Sequence, residues 1–243
     1  MGSVTVITSG KGGVGKSTVS VGLARALADR GRKVLLIDCD SGLRSLDRLT
    51  GTDKELVYDL SDVLSGRCAP IKAKYKCEVS DNLYMMPAAD DSEFVLSENG
   101  FAKLVGLVRK YFDAVLLDSP AGVGRGFRSA CMAADKALVV CTADPVCLRS
   151  TAKVNVMLRE MGINKQRLII NRFNNNAFTA LHGFDDLDSV IDEARIRLIG
   201  VIPEDYDFVN SMINNIRKDR TDGFRACSRI AGRLEGIDVP LII

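Results

Sequence analysis

Two lysines set the chemistry of this sequence. Lys11 and Lys16 both lie in the stretch Ser9-Gly10-Lys11-Gly12-Gly13-Val14-Gly15-Lys16-Ser17-Thr18. Gly10, Gly15, Lys16 and Ser17 satisfy the pattern G-x-x-x-x-G-K-[ST]. In that pattern glycines let backbone N–H groups close around phosphates, the lysine reaches the β and γ oxygens, and the hydroxyl can hold Mg²⁺. The helix that follows offers its N-terminus to the same anion. Lys11 is surplus to that task. A cation facing the charge that develops on a γ-phosphate acts as an arginine finger does, with a rate effect of roughly 10³ or more. Lys16 already fills the position within its own site. Lys11 can instead point across a two-fold interface at the nucleotide of a second copy, in which case ATP would join two monomers and hydrolysis would release them.

Three acids complete the set. Asp118 follows the apolar run Val115-Leu116-Leu117 and reads as the strand-end acid that supports Mg²⁺, directly or through water. Asp38 and Asp40 follow the run Val34–Ile37. One can orient the attacking water and the other brace the metal, alongside Ser17 and Asp118.

These side chains need a scaffold. Short apolar runs at Val4–Ile7, Val34–Ile37, Leu83–Met86, Ala114–Leu117, Ala137–Cys141, Leu168–Ile170 and Leu198–Ile202 read as strands. Segments at 19–28, 43–50, 58–65, 93–111, 126–134, 146–161, 186–195, 206–217 and 224–235 read as helices, several closed by glycine. Residues 67–82 carry no clear pattern, and 174–183 reads as a polar loop. Strands alternating with helices predict an α/β fold, a doubly wound and mostly parallel sheet with helices on both faces. Right-handed crossovers then bring Ser9–Ser17, Asp38–Asp40, Asp118–Gly122, Asn171 and Pro203–Asp205 to one edge. Neither a repeat nor a linker interrupts the chain, which is expected to be one domain over residues 1–243.

Composition sets the outer bounds. Of 243 residues, 47% are hydrophobic and 26% charged, a globular balance with no run long enough to span a membrane. The seven cysteines form no C-x-x-C pair, which disfavours a zinc site and suits reduced thiols. The single histidine, His182, sits in a polar stretch and is expected on the surface, so histidine-based hydrolysis is disfavoured. A net charge of +2 does not by itself imply nucleic acid. The first residues lack the features of a signal peptide, and the expectation is a cytoplasmic protein, or one peripheral at the inner face of the cell membrane.

Taken together, Lys-Gly-Gly-Val-Gly-Lys-Ser at 11–17 resembles the deviant Walker A motif of the MinD/ParA family of ATPases. Asp38–Asp47 resembles the switch I of that family's MinD branch, Asp118–Gly122 its switch II, and Gly200–Asp205 its adenine-bordering loop. The resemblance covers about residues 3–240. It implies a P-loop ATPase fold, ATP-dependent dimerisation and slow, Mg²⁺-dependent hydrolysis used for cell-division site selection; DNA segregation in the manner of ParA is the alternative. It assigns Gly10, Lys11, Gly12, Gly13, Val14, Gly15, Lys16, Ser17 and Thr18 to the phosphates, with Lys11 acting in trans and Thr18 on the α-phosphate. Asn171, Arg172, Pro203, Glu204 and Asp205 are assigned to the base, Asp40 to the attacking water, and Ser17 and Asp118 to Mg²⁺, with Asp38 bracing the metal beside them.

The sequence departs from the family pattern in places that concern partners. Asp238–Ile243 carry none of the basic amphipathic helix with which MinD proteins reach membranes, so that anchor is not expected from these residues. Family members usually have Asn at position 45 and Glu at 124, and acids at 150 and 152, where this chain has Ser45, Gly124, Ser150 and Ala152. Those differences count against carrying over MinC- or MinE-like regulators. Arg225, Arg229 and Arg233 fall four apart, with Arg217, Lys218 and Arg220 upstream. They form either a solvated helix face or a surface for DNA or anionic lipid.

Overall fold

Eight strands form one sheet in the computed structural model, which describes residues 1–41, 44–53, 56–180, 186–214, 216 and 220–242. In chain order the strands are β1 (Ser3–Thr8), β2 (Val34–Asp38), β3 (Tyr75–Lys76), β4 (Leu83–Met86), β5 (Ala114–Asp118), β6 (Lys136–Cys141), β7 (Gln166–Phe173) and β8 (Leu198–Pro203). Across the sheet they run β3-β4-β2-β5-β1-β6-β7-β8, and every pair is parallel except β3 with β4. β2 and β5 are buried at every position. Such continuous apolar strands need cover on both faces, and helices supply it.

The helices are α1 (Lys16–Asp29), α2 (Ser45–Thr50), α3 (Leu60–Leu64), α4 (Glu98–Val108), α5 (Arg125–Met132), α6 (Pro145–Glu160), α7 (Asn175–Ala180), α8 (Leu187–Ala194), α9 (Tyr206–Ile213) and α10 (Asp222–Leu234). α1 packs against α2 and α10, while α4 packs on α5 and α6 on α8. The connection from β1 goes one way along the sheet, and the connection from β5 to β6 crosses β1 the other way. With right-handed crossovers the two helix groups take opposite faces, and a crevice opens at the carboxyl ends of β1 and β5. The buried apolar side chains form one continuous cluster.

The doubly wound α/β architecture is therefore as expected, and the differences are local. α4 spans less than 93–111 because Ser97 caps it, accepting a hydrogen bond from Gly100 N. α9 ends at Ile213 with Asn214 as its C-cap, and residue 217 lies outside the described residues. The unassigned stretch 67–82 holds a 3-10 turn at Pro70–Ala73 and the antiparallel edge strand β3. The polar stretch after β7 contains a helix, α7, started by Asn174, whose side chain accepts from Ala177 N at 3.2 Å. His182, Arg217, Lys218 and the switch residues Gly42 and Leu43 lie outside the described residues.

One close approach shows how tightly the α10 layer is set. A Cβ at Gly200 on β8 would lie 2.4 Å from Ile230 Cγ1 and 2.7 Å from its Cδ1. Gly200→Val is expected to destabilise the fold by about 2 kcal/mol through overpacking. The check is a lower urea midpoint at unchanged m-value; an unchanged midpoint would mean that α10 is free to move off the sheet.

Candidate functional site

Three strand ends meet at the crevice, and backbone hydrogen bonds lock them together. Cys39 N donates to Asp118 O, Ser119 N to Ile7 O and Gly122 N to Ser9 O, each at 3.0 Å. The loop between β1 and α1 turns on Gly13 (φ 79°) and Gly15 (φ 84°), left-handed conformations that glycine adopts without strain. Gly15 occupies the N-cap of α1 and no side chain caps the helix. The amides of its first turn are thus left for an anion. The loop is also braced from the far side: Asn171 Nδ2 donates to Val14 O at 2.8 Å. A Cβ at Gly15 would sit 2.4 Å from that nitrogen, so a larger residue there would break the brace.

Asp118 is the hub beneath the loop. Its Oδ1 accepts from Lys16 Nζ at 2.8 Å and Ser20 Oγ at 2.7 Å, and its Oδ2 accepts from Ser17 Oγ at 2.7 Å. Asp38 stands at the same register on the neighbouring strand. Both acids are almost wholly buried. Asp38 accepts from Asp40 N at 3.0 Å and Leu46 N at 3.3 Å. Burial, and then the charge of Asp118, push the Asp38 carboxyl up to about 7, with these amides and Lys16 opposing. Partial burial raises the Asp40 carboxyl, with Lys16 opposing.

Two buried carboxylates face one buried ammonium, and that imbalance fits a divalent cation. No group of three His, Cys, Asp or Glu forms a ready cage among the described residues. Mg²⁺ does not need one, since it keeps waters and phosphate oxygens and takes only one or two carboxylates. The Ser17 hydroxyl and the Asp118 and Asp38 carboxylates meet that requirement.

The switch segment is held by side chains. Ser45 Oγ donates to Ser17 Oγ at 3.2 Å. Arg44, at φ 41°, forks onto Asp59 Oδ2 at 2.6 Å, Ala88 O at 3.1 Å and Asp90 Oδ1 at 3.2 Å. Neither this clamp nor Ser20 was anticipated from sequence. Ser20 had a signal, because it lies four residues after Lys16 on the same helix face.

The base-side residues flank a cleft of about 300 Å³ at the carboxyl ends of β6 to β8, lined by Asp144, Arg172, Phe178 and Glu204 among others. Arg172 (φ 54°) reaches Glu204 at 3.4 Å, and Asn174 reaches it at 3.3 Å. Pro203 ends β8 beside Phe173. Asp205 is occupied structurally: its carboxylate accepts from Phe208 N and Gly223 N, both at 2.9 Å, tying α9 to α10.

Lys11 stays outside the cradle. It is about half exposed, with Nζ 3.9 Å from Asp144 Oδ1. Thr18 lies in the first turn of α1, half-buried. Gly10 abuts Ser150 on α6, where a Cβ would meet the Ser150 backbone at 2.6 Å, so that helix start does border the loop. Ala152 is half-buried two residues on, and exposed Gly124 caps α5. The C-terminal arginines do not form an open stripe. Arg233 bonds Ile199 O, Val239 O and Pro240 O, Arg225 pairs with Asp222 at 3.3 Å, and Arg229 is half-buried.

Comparison with known proteins agrees with this geometry. The family model described as the CobQ/CobB/MinD/ParA nucleotide binding domain matches residues 5–217. The septum site-determining protein MinD of Bacillus subtilis is 36% identical over 247 residues, covering 99% of this chain and 92% of its own. The MinC:MinD cell division protein complex of Aquifex aeolicus contains a chain superposing with a TM-score of 0.90 at 34% identity, covering 99% of this chain and 98% of that one. The septum site-determining protein MinD of Pyrococcus horikoshii, complexed with Mg-ADP, gives a TM-score of 0.86 at 29% identity, covering 97% of this chain and 96% of that one. With a cradle, a strand-end acid and near full-length likeness all in agreement, this chain belongs to the MinD/ParA family of nucleotide-binding proteins and sits with its MinD members.

Proposed function

We propose that this chain is a MinD-type ATPase, a single nucleotide-binding unit that pairs with a second copy on ATP and hydrolyses it slowly as a switch for division-site placement. The observation that carries the reading is the division of labour between the two lysines. Lys16 is buried on Asp118 under the loop, whereas Lys11 is exposed and held only at 3.9 Å.

Lys16 moves from Asp118 to the β and γ phosphates, while the α1 amides and Gly12–Gly15 hold the remaining oxygens. Ser17, Asp118 and Asp38 hold Mg²⁺, which when bound neutralises phosphate charge. Asp40 orients the water that attacks the γ-phosphate. Thr18 contacts the α-phosphate. Asn171, Arg172, Pro203 and Glu204 border the base, with Asp205 shaping their rim through its caps. Lys11 serves the nucleotide of the second copy, so turnover requires the pair. The Mg-ADP complex of the Pyrococcus horikoshii relative supports the metal. The Aquifex aeolicus complex supports a MinC-like regulator. No described helix is long and apolar enough to cross a membrane, and the proposed location is cytoplasmic or peripheral at the membrane's inner face.

The test combines light scattering after size exclusion with phosphate release. ATP with Mg²⁺ should double the mass and ADP should not; a monomer under both conditions would reject the reading. Asp40→Ala should bind ATP as the parent does yet accumulate as the dimer, with turnover lowered at least about a hundredfold.

A further inference from the structure

A second surface lies at the opposite edge of the sheet from the phosphate loop. Lys33 precedes β2, Phe112 precedes β5, and the end of α4 faces the turn Pro70–Ala73, so these groups meet at the amino ends of the strands. Between them runs a groove of about 520 Å³. Its apolar wall is open to solvent: Ile71 is 66% exposed, Leu107 56% and Tyr111 71%. Clustered apolar exposure of this kind marks a contact surface more often than a bare one.

Its rim is cationic: Lys33, Lys74 and Lys110 line the groove, and among the described residues no carboxylate does. None of the three makes an ion pair among the described residues. Asp113 is committed to the Lys33 backbone, accepting from its N at 2.8 Å. Lys33 and Lys74 share one aromatic platform. Their Nζ atoms stand 5.8 and 4.0 Å from the Tyr84 ring, and Lys33 is also 5.2 Å from Phe112. Two ammonium groups over the same ring repel each other. Burial and then the charge of Lys33 lower the Lys74 pKa, and a carboxylate arriving there would offset the repulsion between the two ammonium groups.

We propose that this groove docks a short acidic, amphipathic peptide segment of a protein partner, its carboxylates on Lys33, Lys74 and Lys110 and its apolar side chains against Ile71, Leu107 and Tyr111. The shape favours a peptide over a flat surface, because the apolar residues wall a groove with charges along its edge. This docking is independent of the nucleotide cradle, which lies at the other ends of the strands.

The test pans a display library of short random peptides on the ATP-loaded protein and measures a selected synthetic peptide by fluorescence anisotropy. Selected sequences should interleave Asp or Glu with Leu or Phe. Affinity should fall at least about tenfold, equivalent to about 1.4 kcal/mol, in K33E/K74E and separately in L107D, and should weaken with salt. Unchanged ATP turnover in both variants would show that the fold is intact. Selected peptides without acidic bias, or binding that survives both variants, would overturn the proposal. So would retention on phosphatidylserine vesicles that depends on the same lysines without peptide binding.

Discussion

Lys16→Ala should abolish ATP binding, with affinity lower by at least about a hundredfold. Lys16 is 7% exposed and its one anionic partner among the described residues is Asp118 at 2.8 Å. Charge-assisted hydrogen bonds contribute about 1.5–3 kcal/mol each, and the residue is expected to make more than one to the phosphates. The substitution also strands a buried carboxylate beside Asp38, and breaking a buried pair can cost about 3–5 kcal/mol of stability. Calorimetric titration must therefore be paired with a melting curve. A folded variant that still binds ATP tightly would remove Lys16 from the site.

Lys11→Ala should separate what Lys16→Ala combines. Lys11 is half exposed and only loosely paired, so folding and nucleotide binding should be unaffected. The ATP dimer should weaken and turnover should fall by about 10³, the scale of a phosphate-facing cation supplied in trans. Mixing variants gives the sharper measurement. In a heterodimer of Lys11→Ala with Asp40→Ala, one site keeps its own Asp40 and receives the intact Lys11 of the other copy. Two variants that are each inactive alone should regain part of the parent's turnover when mixed. Full activity of Lys11→Ala by itself would place the lysine outside the reaction.

Most of this site could be read from the chain because it hangs on strand ends. Apolar runs such as Val34–Ile37 and Ala114–Leu117 declare buried strands, and the polar residue closing each must lie at the sheet edge. Asp38, Asp40 and Asp118 are legible that way, and Gly10–Ser17 through the spacing of its glycines and lysine. What escaped depends on side chains meeting across distant segments. Arg44 reaching Asp59 and Asp90 leaves no local pattern. The commitment of Arg233 to three carbonyls could not be told from a solvated face, because a four-residue spacing reports only which side of a helix a residue occupies. α7 was hidden because Asn174–Asn176 looks like a loop, although Asn174 is also a good N-cap.

The looseness of Lys11 has a consequence at the scale of the cell. A half-exposed pair at 3.9 Å is held by roughly 0–1 kcal/mol, too little to act as a lock. Under the proposed pairing, this contact does not delay one copy in joining another, and the rate then follows how often two ATP-loaded copies meet. That frequency rises with the square of their local density. Any process that crowds these molecules into one region would convert a modest gradient of protein into a steeper gradient of active pairs.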